Sequence, residues 1–212
     1  LSNEQQNMID IALNNKSIFY TGLAGTGKSF LLEYLIEKLK LKYNNKGVTV
    51  TATTGLAALL IGRIMIHKFS QIGVMDRTKE EIILKIKNSH FLSKHIINTK
   101  VLIIDKISML GCDAFDFINE VLQEIRGNVK PFGGVQLIIT GDFFQLLPIS
   151  NKKELICDKI IDFFVKENNM LKCVNCEAIF YKRYIGDLRR HFKNSHTSIW
   201  DVIKKYEEYE PM

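Results

Sequence analysis

The sequence predicts an α/β fold, a parallel sheet with helices on both faces, joined to a small ββα segment. Three observations predict it. Short, almost wholly apolar runs recur between residues 17 and 141, and stretches with apolar residues at three- and four-residue steps separate them. Past Pro148 the strand signal fades and charge increases. Taken in order, residues 4–15 have helical spacing, and Ser17-Ile18-Phe19-Tyr20 reads as a short buried strand. Residues 30–42 return to helical spacing before a second strand, Gly47-Val48-Thr49-Val50-Thr51-Ala52. A helix over 78–88 precedes the strand Lys100-Val101-Leu102-Ile103-Ile104-Asp105, and a helix over 113–126 precedes Val135-Gln136-Leu137-Ile138-Ile139-Thr140-Gly141. The domain boundary falls near residue 150, which gives a sheet domain at 1–150, a linker at 151–168 and a terminal segment at 169–212.

The chain's 212 residues suffice for one full core and a small appendage. Lys and Arg total 29 against 23 Asp and Glu, a net charge of +6 that favours a polyanionic partner. No apolar run approaches the ~20 residues that span a bilayer, and the first residues lack the pattern of a secretory leader, so an intracellular protein is expected. Cys112 and Cys157 lie in apolar surroundings and read as buried thiols, whereas Cys173 and Cys176 form a C-x-x-C.

The turn after the first strand, Gly22-Leu23-Ala24-Gly25-Thr26-Gly27-Lys28-Ser29, has the pattern G-x-x-x-x-G-K-[ST] between a strand and a helix. Glycines there free backbone N–H groups to point inward, and the helix N-terminus adds partial positive charge, so the turn suits nucleotide phosphates. Lys28 would reach the β- and γ-phosphates of ATP and Ser29 would hold Mg²⁺. A second acid for the metal is Asp105, at the end of an apolar strand where ligands of open α/β sheets bind. Gln145, just past a third strand, could orient the attacking water.

Together these residues resemble the superfamily-one DNA helicases of the Pif-one type, relatives of RecD. The resemblance covers residues 1 to about 150 and implies a P-loop NTPase domain of RecA-like fold. Gln5 matches an adenine-side glutamine motif, and Thr53-Thr54-Gly55 with His67-Lys68 matches a DNA-contacting region. Leu102-Ile103-Ile104-Asp105 and Gly141-Asp142-Phe143-Phe144-Gln145 match two further motifs. The resemblance implies an ATP-driven 5′-to-3′ helicase acting on single-stranded or forked DNA. Roles in repair, recombination and telomere maintenance, in the nucleus or mitochondrion, go with it.

The departures carry chemistry as well. Where the family places a catalytic glutamate the chain has Lys106, a cation unable to accept a proton from water, so impaired hydrolysis is expected. Met65, Lys68 and Leu147 are smaller departures. No second P-loop-like sheet follows residue 150, so the chain reads as one of the two RecA-like halves a helicase cycle needs. An alternative is a non-hydrolysing, nucleotide-dependent DNA- or protein-binding module; a P-loop kinase ranks lower, since no acceptor-substrate motif is present.

The terminal segment has Cys173-Val174-Asn175-Cys176, fourteen residues, then His191 and His196. Two thiolates and two imidazoles at this spacing suit tetrahedral Zn²⁺, and Phe180 and Leu188 fall at the small-core positions of a ββα finger, which resembles the BED type. Lys182, Arg183, Arg189, Arg190 and Lys193 would make its surface basic.

Overall fold

The computed structural model describes residues 1–21, 27–55, 58, 63–73, 77–141, 171–172 and 179–180. Helix α1 (Asn3–Leu13) starts at a capping box: the Ser2 hydroxyl accepts from Gln5 N–H and the Gln5 side chain accepts from Ser2 N–H. Strand β1 (Ile18–Thr21) leads to α2 (Lys28–Gly47), which is interrupted at Asn44, where φ is 61°. Next come β2 (Val48–Ala52), β3 (Ile64–Met65) and the short α3 (Ile66–Phe69). Then α4 (Lys79–Lys87), α5 (His90–Asn98), β4 (Val101–Asp105), α6 (Cys112–Arg126) and β5 (Gln136–Gly141) complete the sheet domain.

The five strands form one parallel sheet in the order β1-β5-β4-β2-β3. Val101 to Ile104 and Leu137 to Ile139 are fully buried, as residues of a sheet covered on both faces must be. Successive side chains alternate between faces. Ile103 and Ile138 pack with α1 and α2 through Ile9, Ala12, Leu32, Leu35 and Leu39. Leu102, Ile104, Leu137 and Ile139 pack instead with α3 to α6 through Phe69, Ile86, Ile96, Phe115 and Ile118. The fold is thus the α/β architecture that the apolar strands predict.

The elements that periodicity missed are β3, α3 and α5. β3 has two residues and α3 four, too few for a period to register. α5 buries little beyond Ile96 and is defined by its Ser89 cap, which accepts from Leu92 N–H at 3.4 Å. Leu171–Lys172 and Ile179–Phe180 form a separate antiparallel pair, β6 and β7. The expected boundary near residue 150 lies outside the described residues, and among them no helix is long and apolar enough to cross a membrane.

Candidate functional site

The carboxyl edge of the sheet gathers the polar residues. Tyr20 pairs with Thr140 across β1 and β5, and Asp105 pairs with Ala52 across β4 and β2. Because Ile104 is level with Ile139, Asp105 is level with Thr140. Tyr20, Thr140 and Asp105 therefore form one row across the sheet. Two residues beyond Ile103, Asp105 faces the side covered by α1 and α2. Helix α2 begins on that side at Lys28.

Gly27 caps α2 with φ 81°, a conformation that L side chains rarely adopt, and a Cβ there would stand 3.8 Å from Gln5 Nε2. Gln5, whose carbonyl oxygen is held by the capping box, thus presents its amide nitrogen toward the entry to α2. Lys28 is half-buried and Ser29 is exposed on the first turn. Gly22, Leu23, Ala24, Gly25 and Thr26 lie outside the described residues, as do Gln145, Cys173, Cys176, His191 and His196.

Asp105 is the electrostatic centre of the row. Its Oδ1 accepts from the Lys106 backbone N–H at 2.9 Å, and its Oδ2 accepts from Arg63 Nη1 in an ion pair. The Arg63 side chain is 1% exposed and that of Asp105 16%. Burial raises the pKa of the Tyr20 hydroxyl and keeps it neutral; Thr140 opposes the rise, Asp105 adds to it and Arg63 opposes it. That hydroxyl lies near Thr140 but has no hydrogen-bond partner of ordinary geometry among the described residues.

Lys106 adopts a left-handed conformation, φ 56° and ψ 45°, unusual for a residue with a Cβ. Thr53 holds it there: the Thr53 hydroxyl donates to the Lys106 carbonyl at 2.7 Å, and Thr53 N–H donates to the Asp105 carbonyl at 3.3 Å. The Lys106 side chain is exposed, and among the described residues its ammonium forms no salt bridge. Arg63 pairs with the carboxylate instead. Gly141 lets the end of β5 approach this loop, since a Cβ there would lie 2.8 Å from Ile107 Cγ2.

The residues expected to meet DNA lie along the β2 and β3 flank of the same edge. Thr53 is buried and its hydroxyl is used internally, while Thr54 and Gly55 are half-buried. His67 is half-buried on α3, its pKa lowered by burial, and its Nδ1 has no partner among the described residues; Lys68 is exposed. Arg63, Tyr20 and Thr140 were not singled out by motif. A lone arginine between Gly62 and the apolar run Ile64-Met65-Ile66 was the available signal.

The donor types of Ser29 and Asp105 suit a hard cation. The carboxylate, however, already bonds a buried guanidinium on one oxygen and a backbone N–H on the other. Each oxygen keeps a further lone pair, but the charge that would hold a divalent ion is already paired with the Arg63 guanidinium. Among the described residues, no three His, Cys, Asp or Glu side chains cluster as a metal centre.

The PIF1-like helicase family matches residues 1–199. That span runs past residue 150, where the resemblance read from motifs stopped. The ATP-dependent DNA helicase RRM3 of Saccharomyces cerevisiae is 38% identical over 183 residues, 86% of this chain but 25% of the relative. A crystal structure of Pif1 helicase from Candida albicans superposes with a TM-score of 0.67 at 46% identity, covering 71% of this chain and 34% of that one. A Bacteroides Pif1 helicase solved with ADP-AlF3 and ssDNA has a TM-score of 0.64 at 28% identity, covering 100% of this chain and 51% of the other.

Proposed function

The chain belongs to the PIF1-like helicase family, and from that premise we propose that it is the nucleotide-binding part of an ATP-dependent DNA helicase. It would move 5′ to 3′ on single-stranded or forked DNA and serve repair, recombination and telomere maintenance in the nucleus or mitochondrion. Similarity to a helicase solved with ADP-AlF3 and ssDNA supports the choice of ligands. The observation that carries the reading is the sheet edge itself. Asp105 faces the side where Gly27 and Lys28 open α2 and Gln5 stands beside Gly27, so base, phosphate and acidic groups converge.

In this reading residues 22–29 hold the phosphates, Gln5 the base side, and Gln145 the γ-phosphate. Thr54, Gly55, His67 and Lys68 follow the DNA strand, with Thr53 positioning the loop behind them. Hydrolysis is impaired, because Lys106 follows Asp105 with an exposed ammonium and offers water no base.

Phosphate release at saturating ATP, with and without single-stranded DNA, tests this. The chain should turn over near background and Lys106→Glu should gain weakly. Strong DNA-stimulated turnover by the Lys106 form would refute the impairment. Lys106 also favours a second reading, a non-hydrolysing nucleotide-dependent DNA- or protein-binding module, for which tight nucleotide binding without turnover is the expected result.

A Zn²⁺ site at Cys173, Cys176, His191 and His196 belongs to the same proposal. Its support is the C-x-x-C and His spacing, together with the pairing of Leu171–Lys172 and Ile179–Phe180 on either side of the two cysteines in the sequence.

A further inference from the structure

We propose that Arg63 is a resident cation of the phosphate site, neutralising Asp105 and offering its remaining N–H groups to a nucleotide polyphosphate, so that nucleotide binds without a requirement for Mg²⁺. The inference rests on the nucleotide-binding reading above. A charge is tolerated in a protein interior when it is both paired and hydrogen-bonded. Arg63 meets the first condition and only part of the second. One nitrogen, Nη1, bonds Asp105, whereas Nε and Nη2 are buried and have no partner among the described residues. Guanidinium is a planar fork that suits two oxygens at once, and phosphate oxygens match it.

The position agrees with that ligand. Arg63 meets Asp105 at the carboxyl edge of the sheet, on the face where α2 begins at Lys28, and this is where open α/β sheets take their ligands. Burial chiefly raises the Tyr20 hydroxyl's pKa; Asp105 adds to the rise and Arg63 opposes it, so both charges bear on this row. A divalent ion entering here would meet a positive charge already bonded to its carboxylate. Guanidinium and Mg²⁺ thus compete for Asp105, and the one covalently part of the chain needs no free ion concentration to be present.

Titration of a fluorescent ADP analogue into the whole chain, once with excess MgCl₂ and once with EDTA, tests the competition. The native chain should bind within about threefold under the two conditions. Arg63→Met should lose at least about tenfold in EDTA and recover in Mg²⁺, with Arg63→Lys between them. Asp105→Asn, nearly isosteric, should keep its binding in EDTA because the guanidinium is released to the phosphates.

A purely structural Arg63 predicts the same ratio of EDTA to Mg²⁺ affinity in native chain and Arg63→Met. That result, a native chain that needs Mg²⁺, or loss of EDTA binding in Asp105→Asn would each overturn the proposal. Mn²⁺ binding followed by electron paramagnetic resonance without nucleotide separates its failure from that of the nucleotide reading. Arg63→Met should bind Mn²⁺ more tightly than the native chain, and equal affinity overturns the competition even where no form binds nucleotide.

Discussion

Arg126 donates through Nε to the Gly133 carbonyl at 2.8 Å, and through Nη1 to the carbonyls of Ile96, Ile97 and Thr99 at 2.8, 2.9 and 3.0 Å. One side chain therefore caps the end of α5 and ties it to the turn before β5. Burial lowers its pKa, yet the guanidinium stays charged at neutral pH. Arg126→Met keeps the apolar stem and removes every donor, leaving carbonyls at a helix terminus unsatisfied. The expected loss is about 1.5–3 kcal/mol, the range for hydrogen bonds to a charged group. A urea unfolding midpoint equal to the native one would contradict this. Sequence reading could place Arg126 in the last turn of a helix, where a cation is favourable. It could not name four acceptors that lie 7 to 30 residues away. Lys106 has the same asymmetry: its identity is legible, but its left-handed backbone exists because Thr53 and Asp105 hold it from two strands.

Helices α4 and α6 make the contrast between kinds of evidence plain. Thr78 and Glu81 form a capping box, and α6 buries Ala114, Phe115, Ile118, Val121, Leu122 and Ile125, so both helices are local in origin and readable. Between them run the ion pairs Lys79–Glu120 and Lys87–Glu124, which are exposed and contribute little. Helices α3 and α5 owe more to their packing. The His95 ring stands edge-on to Phe69 at 5.4 Å between centroids, linking the two. Burial lowers the pKa of both His67 and His95. In the unfolded chain each returns to about 6.5, so below that value the unfolded state binds more protons. Their contribution is complete above about pH 6.5 and is lost as pH falls through the lowered folded values. Urea midpoints should fall between about pH 7.5 and 5.5, and His95→Gln should lessen the fall. A fall of undiminished size in that variant would place the titration elsewhere.

Across the molecule, two apolar clusters on either side of one sheet set the architecture, and Asp105 and Arg63 pair at its carboxyl edge. The terminal segment adds its own test. Metal analysis of the purified chain should find about one zinc, lost in Cys173→Ser. Equal, negligible zinc in both would remove the proposed site. From its sequence alone this chain determined the parallel sheet, the strand ending at Thr21 and the helix opening at Lys28, the helix over Cys112–Arg126, and the acid closing β4. All of these are signalled by side-chain patterns that run over a few residues. The neutralisation of Asp105 was decided only by the tertiary structure. Arg63 stands 42 residues earlier in the chain, and it reaches the carboxylate because it directly precedes β3, which lies beside β2, the neighbour of β4. Electrostatic pairing depends on separation in space, and the order β1-β5-β4-β2-β3 brings these two charges together where no local pattern could.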